Sequence, residues 1–156
     1  MVIAYRSAHA GDVPAIEALI NEFAAERIML PKTVESIALG IEDFIVATDQ
    51  HGRIVGCAAL REYSPSLAEV ASVAVARRAH GLGIGSQLVR RVEALAATRG
   101  IGELFALTLA PPFFDRLGYS IVDRARFPEK VRADCTVCPR RHACNEICVA
   151  RTAIAA

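Results

Sequence analysis

Three glycines alternate through His80-Gly81-Leu82-Gly83-Ile84-Gly85-Ser86. The apolar run Ala71, Val73, Val75 precedes them, and the apolar positions Ile84, Leu88, Val92, Leu95 and Ala96 follow at helical spacing. Glycine lets a backbone approach a ligand closely and take φ > 0. A helix that starts at once aims its unpaired N–H groups and the positive end of its dipole into the loop. Strand, glycine loop and helix start together suit an anion, and the natural anion is a phosphate or pyrophosphate. The spacing lacks the third glycine position of a dinucleotide fingerprint and the G-K-[ST] of a P-loop. The bland alternative is a turn that only joins strand to helix.

A second concentration of chemistry lies near the C-terminus, in Cys135-x2-Cys138-x5-Cys144-x3-Cys148 with His142 inside it. The C-x-x-C knuckle has metal-ligand spacing, and four thiolates make a closed structural zinc site. The gap between the pairs is shorter than in common zinc modules, so free thiols and a disulfide stay open beside zinc. Cys57 lies in an apolar run and reads as a small core residue.

The elements that must position these groups follow from 156 residues, 53 % of them apolar, with a formal charge of +1. That suits one domain with one core and excludes disorder. The charge offers nothing to nucleic acid or a membrane surface, and no apolar run is long enough to span a bilayer. The start Met1-Val2-Ile3-Ala4-Tyr5-Arg6 has no signal-peptide pattern, so the expected compartment is the cytoplasm. Strands are expected over 2–6, 44–48, 54–62, 67–75, 104–109 and 119–122. Helices are expected from Asp12 as N-cap to about residue 25, from Thr33 to Gly40, from Ile84 to Arg99 and from Pro111 to Leu117. Tyr63-Ser64-Pro65-Ser66 reads as a turn. The order predicts an α+β fold: a mixed, mostly antiparallel sheet with helices on both faces, as a single domain.

Val73-Ala74-Val75, four residues, then His80-Gly81-Leu82-Gly83-Ile84-Gly85 resembles motif A of the GNAT superfamily, the acyl-CoA-dependent N-acyltransferases. His80 stands where that motif has Arg or Gln. The predicted element order is similar to the GNAT order over nearly the whole chain, and Phe113-Phe114 followed by Gly118-Tyr119 is similar to a late GNAT segment. The resemblance implies acetyl-CoA as co-substrate, with Val73, Val75, His80, Gly81, Leu82, Gly83, Ile84, Gly85 and Ser86 binding it. Many members carry a tyrosine acid at the position of Phe114, which has no proton to give.

Acetyl transfer from a thioester needs a neutral amine, a donor for the oxyanion and a sink for protons. The Val73 N–H beside the pantetheine is the expected oxyanion donor. Glu69, the carboxylate on the central strand, is the candidate general base, directly or through water, with partial burial expected to raise its pKa. The competing reading makes it a solvated strand-end carboxylate.

Met29-Leu30-Pro31-Lys32-Thr33 and Phe127-Pro128-Glu129-Lys130-Val131 with Asp134-Cys135 and Cys138-Pro139 resemble two runs of the short N-acetylglutamate synthases. The implied substrate is L-glutamate and the implied route is arginine synthesis. A dicarboxylate needs cations, so Lys32 is expected as main anchor with Arg61 or Arg27 at the other end, and Leu30 and Thr108 as pocket walls. Glutamine, another small amine, or a non-catalytic acyl-CoA sensor remain alternatives. The layout expected is an acetyltransferase domain over 1–126 and a cysteine-containing tail over 127–156 packed on it. The family suggests a homodimer.

Overall fold

A computed structural model describes residues 1–138 and 144–152. Its strands are β1 (Ala4–Ser7), β2 (Phe44–Thr48), β3 (Ile54–Ser64), β4 (Leu67–Val75), β5 (Glu103–Thr108), β6 (Ser120–Ile121) and β7 (Ile147–Arg151). They are hydrogen-bonded in the order β1-β2-β3-β4-β5-β7-β6. The pairs β1–β2, β2–β3, β5–β7 and β6–β7 are antiparallel, and β4–β5 is parallel. The sheet is therefore mixed and mostly antiparallel, as the sequence predicts. The main helices are α1 (Val13–Ala24), α2 (Val34–Leu39), α3 (Ile84–Thr98) and α4 (Pro111–Asp115). α3 supplies the crossover that a parallel β4–β5 pair requires. Among the described residues no helix is long and apolar enough to cross a membrane.

The chain divides into two compact units. The first comprises Met1–Arg61 and Val70–Leu95. Its core joins the α1 stripe Val13, Ile16, Leu19, Ile20 and Phe23 to Ile37, Phe44, Val46, Cys57, Ala59 and Ala74. Burying each large side chain contributes roughly 1.5–3 kcal/mol, an upper figure for the unfolded reference. The second comprises Glu62–Glu69 and Ala96–Ala156. Leu67, Phe105, Phe127, Cys148 and Ala150 are its buried cluster, with Tyr63, Leu107 and Val122 against it. The Phe105 and Phe127 rings stack at 4.6 Å, which fastens the start of the segment carrying Lys130.

Three local expectations are corrected. Asp12 precedes α1, but its side chain caps no amide of that helix. It takes two bonds from the Arg6 guanidinium, at 2.7 and 2.9 Å, and accepts the His9 N–H. A bidentate charge-assisted pair outcompetes a single cap bond. β3 runs on to Ser64, so Tyr63 is a strand residue instead of a turn residue. The run Ile147–Arg151 is a strand, lying between β5 and β6 in the sheet. Cys148, Val149 and Ala150 are buried in succession, so the strand shows no period-two pattern in the sequence.

Candidate active site

The glycine loop takes the shape its sequence demands. After β4 a 3-10 turn, Arg77–Ala79, leads to His80, and α3 begins at Ile84. Gly81 has φ +81° and Gly83 φ +75°, and nothing lies within 4 Å of where either Cβ would stand. The conformation disfavours side chains and the space above the backbone is open. Gln87 N–H donates to Gly83 O at 3.1 Å. The helix amides ahead of it have no carbonyl four residues back, so they face the loop as donors at the positive end of a 15-residue helix.

His80 braces this loop. Its Nε2 lies 2.7 Å from Val75 O, and its ring stacks on Phe23, 6.4 Å away and inclined by 11°. Arg77 covers the same Phe23 ring at 4.9 Å and pairs with Glu26 at 2.6 Å. Two contacts thus pin the entrance to the glycines against the end of α1. Sequence reasoning missed Phe23 as part of the site because its place on the α1 stripe marks it only as core.

β4 carries a local distortion. Ser72 is in the left-handed region, φ +54°, inside the strand. For a residue with a Cβ that costs about 1–2 kcal/mol, and such outliers gather at functional sites. Leu67 to Val70 are buried, whereas Ala71, Ser72 and Val73 are half-buried. The Cys57 thiol donates to Ser72 O at 3.4 Å. Burial pushes that thiol up to about 12, so it stays protonated and acts as the small core donor its sequence setting suggests. Val73 follows the distortion directly.

Glu69 is buried, and it does not stand alone. Lys130 Nζ reaches Glu69 Oε1 at 3.0 Å, Asp134 Oδ2 at 2.9 Å and Tyr63 Oη at 3.3 Å, so the ammonium's three protons find three acceptors. The Tyr63 hydroxyl lies 3.1 Å from Glu69 Oε1 and makes a short hydrogen bond to Asp134. Burial opposes the Lys130 charge, yet Glu69 and Asp134 outweigh it and hold the ammonium above the ordinary lysine value. The solvated strand-end reading of Glu69 is thereby excluded by its burial. Tyr63, Lys130 and Asp134 went unassigned in the sequence, although the four-residue spacing of Lys130 and Asp134 is a helical ion-pair signal.

Of the expected substrate residues, Arg27 follows α1 with φ +60° and is exposed, as are Arg61 and Leu30. Lys32 is half-buried, and Asn21 holds its backbone, with Nδ2 donating to Lys32 O at 2.9 Å and Oδ1 accepting Lys32 N–H at 3.2 Å. Thr108 is buried, and its hydroxyl accepts Ala110 N–H at 2.8 Å, closing the turn into α4. Phe114 is buried edge-on against Tyr119, with ring centroids 5.2 Å apart. Tyr119 is 2 % exposed, a ring packed in the core.

The four-cysteine zinc arrangement is not assembled. None of the five cysteines is joined in a disulfide. Cys148 sits in the core on β7, paired in register with Leu107, and burial pushes its thiol up to about 11. Among the described residues no three His, Cys, Asp or Glu side chains are grouped to hold an ion. The donor set of Cys135, Cys138, Cys144 and Cys148 therefore does not fit a closed tetrahedral centre, and His142 lies outside the described residues.

The strand order of the sheet, with a glycine loop leading from β4 into α3, is that of an acyltransferase fold. Residues 40–121 match the acetyltransferase (GNAT) domain family, and the chain belongs to it. It is 42 % identical over 147 residues to an uncharacterized N-acetyltransferase of Chlorobaculum tepidum, covering 94 % of each chain. It is 34 % identical to an amino-acid acetyltransferase of Mycobacterium tuberculosis, over 76 % of this chain and 68 % of that one. Among solved structures it superposes on N-acetylglutamate synthase of Neisseria gonorrhoeae, complexed with coenzyme A and N-acetyl-glutamate, with a TM-score of 0.85 at 27 % identity. That alignment covers 98 % of this chain and 35 % of the gonococcal one, so the chain spans about a third of that enzyme's length.

Proposed function

We propose that the chain transfers the acetyl group of acetyl-CoA to the α-amino group of L-glutamate, giving N-acetyl-L-glutamate and coenzyme A. The observation that carries the coenzyme half is the loop: Gly81 and Gly83 at positive φ under open space, heading a long helix. Its amides suit a diphosphate without any cationic side chain, which accommodates His80 turned toward Val75. The substrate half draws on the relatives named amino-acid acetyltransferases and on the gonococcal neighbour's N-acetyl-glutamate. Lys32, held by Asn21, is the proposed carboxylate anchor, with Arg61 or Arg27 opposite and Leu30 and Thr108 as walls.

In this reading the amine nitrogen attacks the thioester carbonyl and the Val73 N–H stabilises the oxyanion. As the C–N bond forms, the amine proton leaves toward Glu69, directly or through water. The C–S bond then breaks, and coenzyme A departs as a thiolate, a leaving group good enough to do without an acid at Phe114. Tyr63, Lys130 and Asp134 hold Glu69 in one orientation, which is what positional catalysis requires. The expected setting is the cytoplasm and the start of arginine synthesis.

Coenzyme A release measured with each of the twenty amino acids and acetyl-CoA tests this. Glutamate turning over fastest supports the assignment. Faster turnover of glutamine or another amine retains the acetyl transfer and removes the glutamate. Tight acetyl-CoA binding with no turnover on any amine favours the sensor reading, which the absence of a proton on Phe114 keeps in view.

A further inference from the structure

As general base, Glu69 takes one proton in every turnover and has to lose it before the next. Its side chain is only 9 % exposed, against 22 % for Asp134. Between the two carboxylates stands the Tyr63 hydroxyl, 3.1 Å from Glu69 Oε1 and hydrogen-bonded to Asp134 Oδ2. The Tyr63 ring lies against Phe105, 5.7 Å away and inclined by 45°, so core packing fixes where the hydroxyl sits. Tyr63, Glu69, Lys130 and Asp134 all belong to the second compact unit.

The hydrogens in this cluster can be counted. A phenol oxygen has one proton to give and two lone pairs. Lys130 donates into Tyr63 Oη at 3.3 Å, which uses one lone pair. The phenol proton serves one carboxylate at a time. With both carboxylates ionised, one of the two oxygen–oxygen contacts therefore lacks a hydrogen. One added proton on either carboxylate fills it: the protonated acid donates to the remaining lone pair of Tyr63, and the phenol donates to the other carboxylate. The two arrangements use the same heavy atoms and differ only in where the hydrogens lie. Lys130, bonded to all three residues, holds them in place.

We propose that Tyr63 and Asp134 form a relay that carries the proton of Glu69 to solvent. The N–H bond of the attacking amine breaks, and its proton forms an O–H bond on the Glu69 carboxylate. Glu69 passes a proton from Oε1 to Tyr63 Oη as Tyr63 gives its own to Asp134 Oδ2. Glu69 is then a carboxylate again, Tyr63 a neutral phenol and Asp134 a carboxylic acid. Water takes the proton from Asp134, the more exposed of the two acids, and the cluster returns to its starting charge. The relay rests on the reading of Glu69 as general base, and not on which amine is acetylated.

The full chain and its variants are assayed with acetyl-CoA and the amino acid that wild type acetylates fastest, and N-acetylated product is quantified by chromatography. Tyr63→Phe keeps the ring against Phe105 and removes the hydroxyl. Asp134→Asn keeps the shape of the side chain and takes up no proton. Each is expected to lower kcat about tenfold, less than a general base itself contributes, with KM for both substrates held. The double variant is expected to be no slower than either single one, because both cut one path. Asp134→Ala opens space at the outer end, and added imidazole is expected to restore its kcat while leaving Tyr63→Phe slow. A merely structural contact does not respond to a soluble proton acceptor. Wild-type kcat in Tyr63→Phe or Asp134→Asn, losses that multiply in the double variant, or no imidazole rescue of Asp134→Ala overturns the relay. A kcat that falls in step with melting temperature across the variants marks a structural role and overturns it too. Glu69→Gln separates the two readings. At wild-type rate it overturns Glu69 as the base and the relay with it, whereas a slow Glu69→Gln beside an unimpaired Tyr63→Phe overturns the relay alone. A wild type that acetylates nothing overturns both.

Discussion

Lys130 Nζ lies 3.0 Å from Glu69 Oε1, joining a C-terminal helical turn to the central strand through a buried ion pair. The two residues are 61 positions apart in the chain. Their ammonium and carboxylate are each about nine-tenths shielded from solvent, and Asp134 adds a second carboxylate at 2.9 Å. One cation balancing two anions makes Lys130 the residue on which the cluster's charge depends.

Replacing Lys130 by methionine leaves Glu69 and Asp134 buried together without a cation. Removing one partner of a buried pair costs about 3 kcal/mol, the low end of the range because Asp134 keeps some solvent contact. The pair also has an alkaline signature. The folded-state pKa of Lys130 lies above its ordinary 10.5, so its stabilisation is complete below that value and is lost as pH rises through the folded value. Urea midpoints at about pH 8 and about pH 11 should fall steeply in the wild type and by less in K130M. Equal alkaline losses in both proteins would show that the pair contributes nothing.

Glu69→Gln keeps the shape of the side chain and removes its charge. Lys130 retains Asp134 as partner, so the fold should survive. With Glu69 as general base, kcat should drop about 100-fold, with KM for acetyl-CoA nearly unchanged. Loss confined to KM would instead make Glu69 a binding residue.

Gly83→Trp places a large side chain at φ +75°, over a backbone with nothing within 4 Å of the Cβ position. Strain of about 1–2 kcal/mol is expected, together with loss of coenzyme A binding. Calorimetric titration with coenzyme A reads the second effect separately from the melting temperature. Retained binding would move the diphosphate away from this loop.

Asn21→Ala removes two hydrogen bonds to the Lys32 backbone and should cost about 1–2 kcal/mol of stability. With the Lys32 segment loosened, KM for the amino acid should rise about tenfold while coenzyme A affinity holds. Initial rates at varied glutamate and at varied acetyl-CoA separate the two.

Local patterns carried much of this protein. The glycine spacing suited a left-handed loop before a helix: Gly81 and Gly83 take the angles that favour glycine, Gly85 lies inside α3, and α3 begins at the expected Ile84. β2 and β4 have the predicted ends, since their apolar runs are bounded by turn residues. Thr33 caps α2 as read, its Oγ1 accepting Ser36 N–H.

Properties that depend on distant partners were settled by the fold. Whether Glu69 is solvated or buried, and that Lys130 and Asp134 hold it, depends on residues 61 and 65 positions further along, a pairing that periodicity does not encode. His80 belongs to a glycine motif by spacing, yet its ring turns to Val75 and Phe23 because those atoms lie within reach once α1 has packed. The cysteine spacing allowed a metal centre, and the structure instead sends Cys148 into a strand and sets Cys144 against Arg124. Sequence alone determined the left-handed loop that heads α3, because that needs only local angles. Tertiary structure decided which side chains share charge, because burial and proximity exist only after the chain has closed on itself.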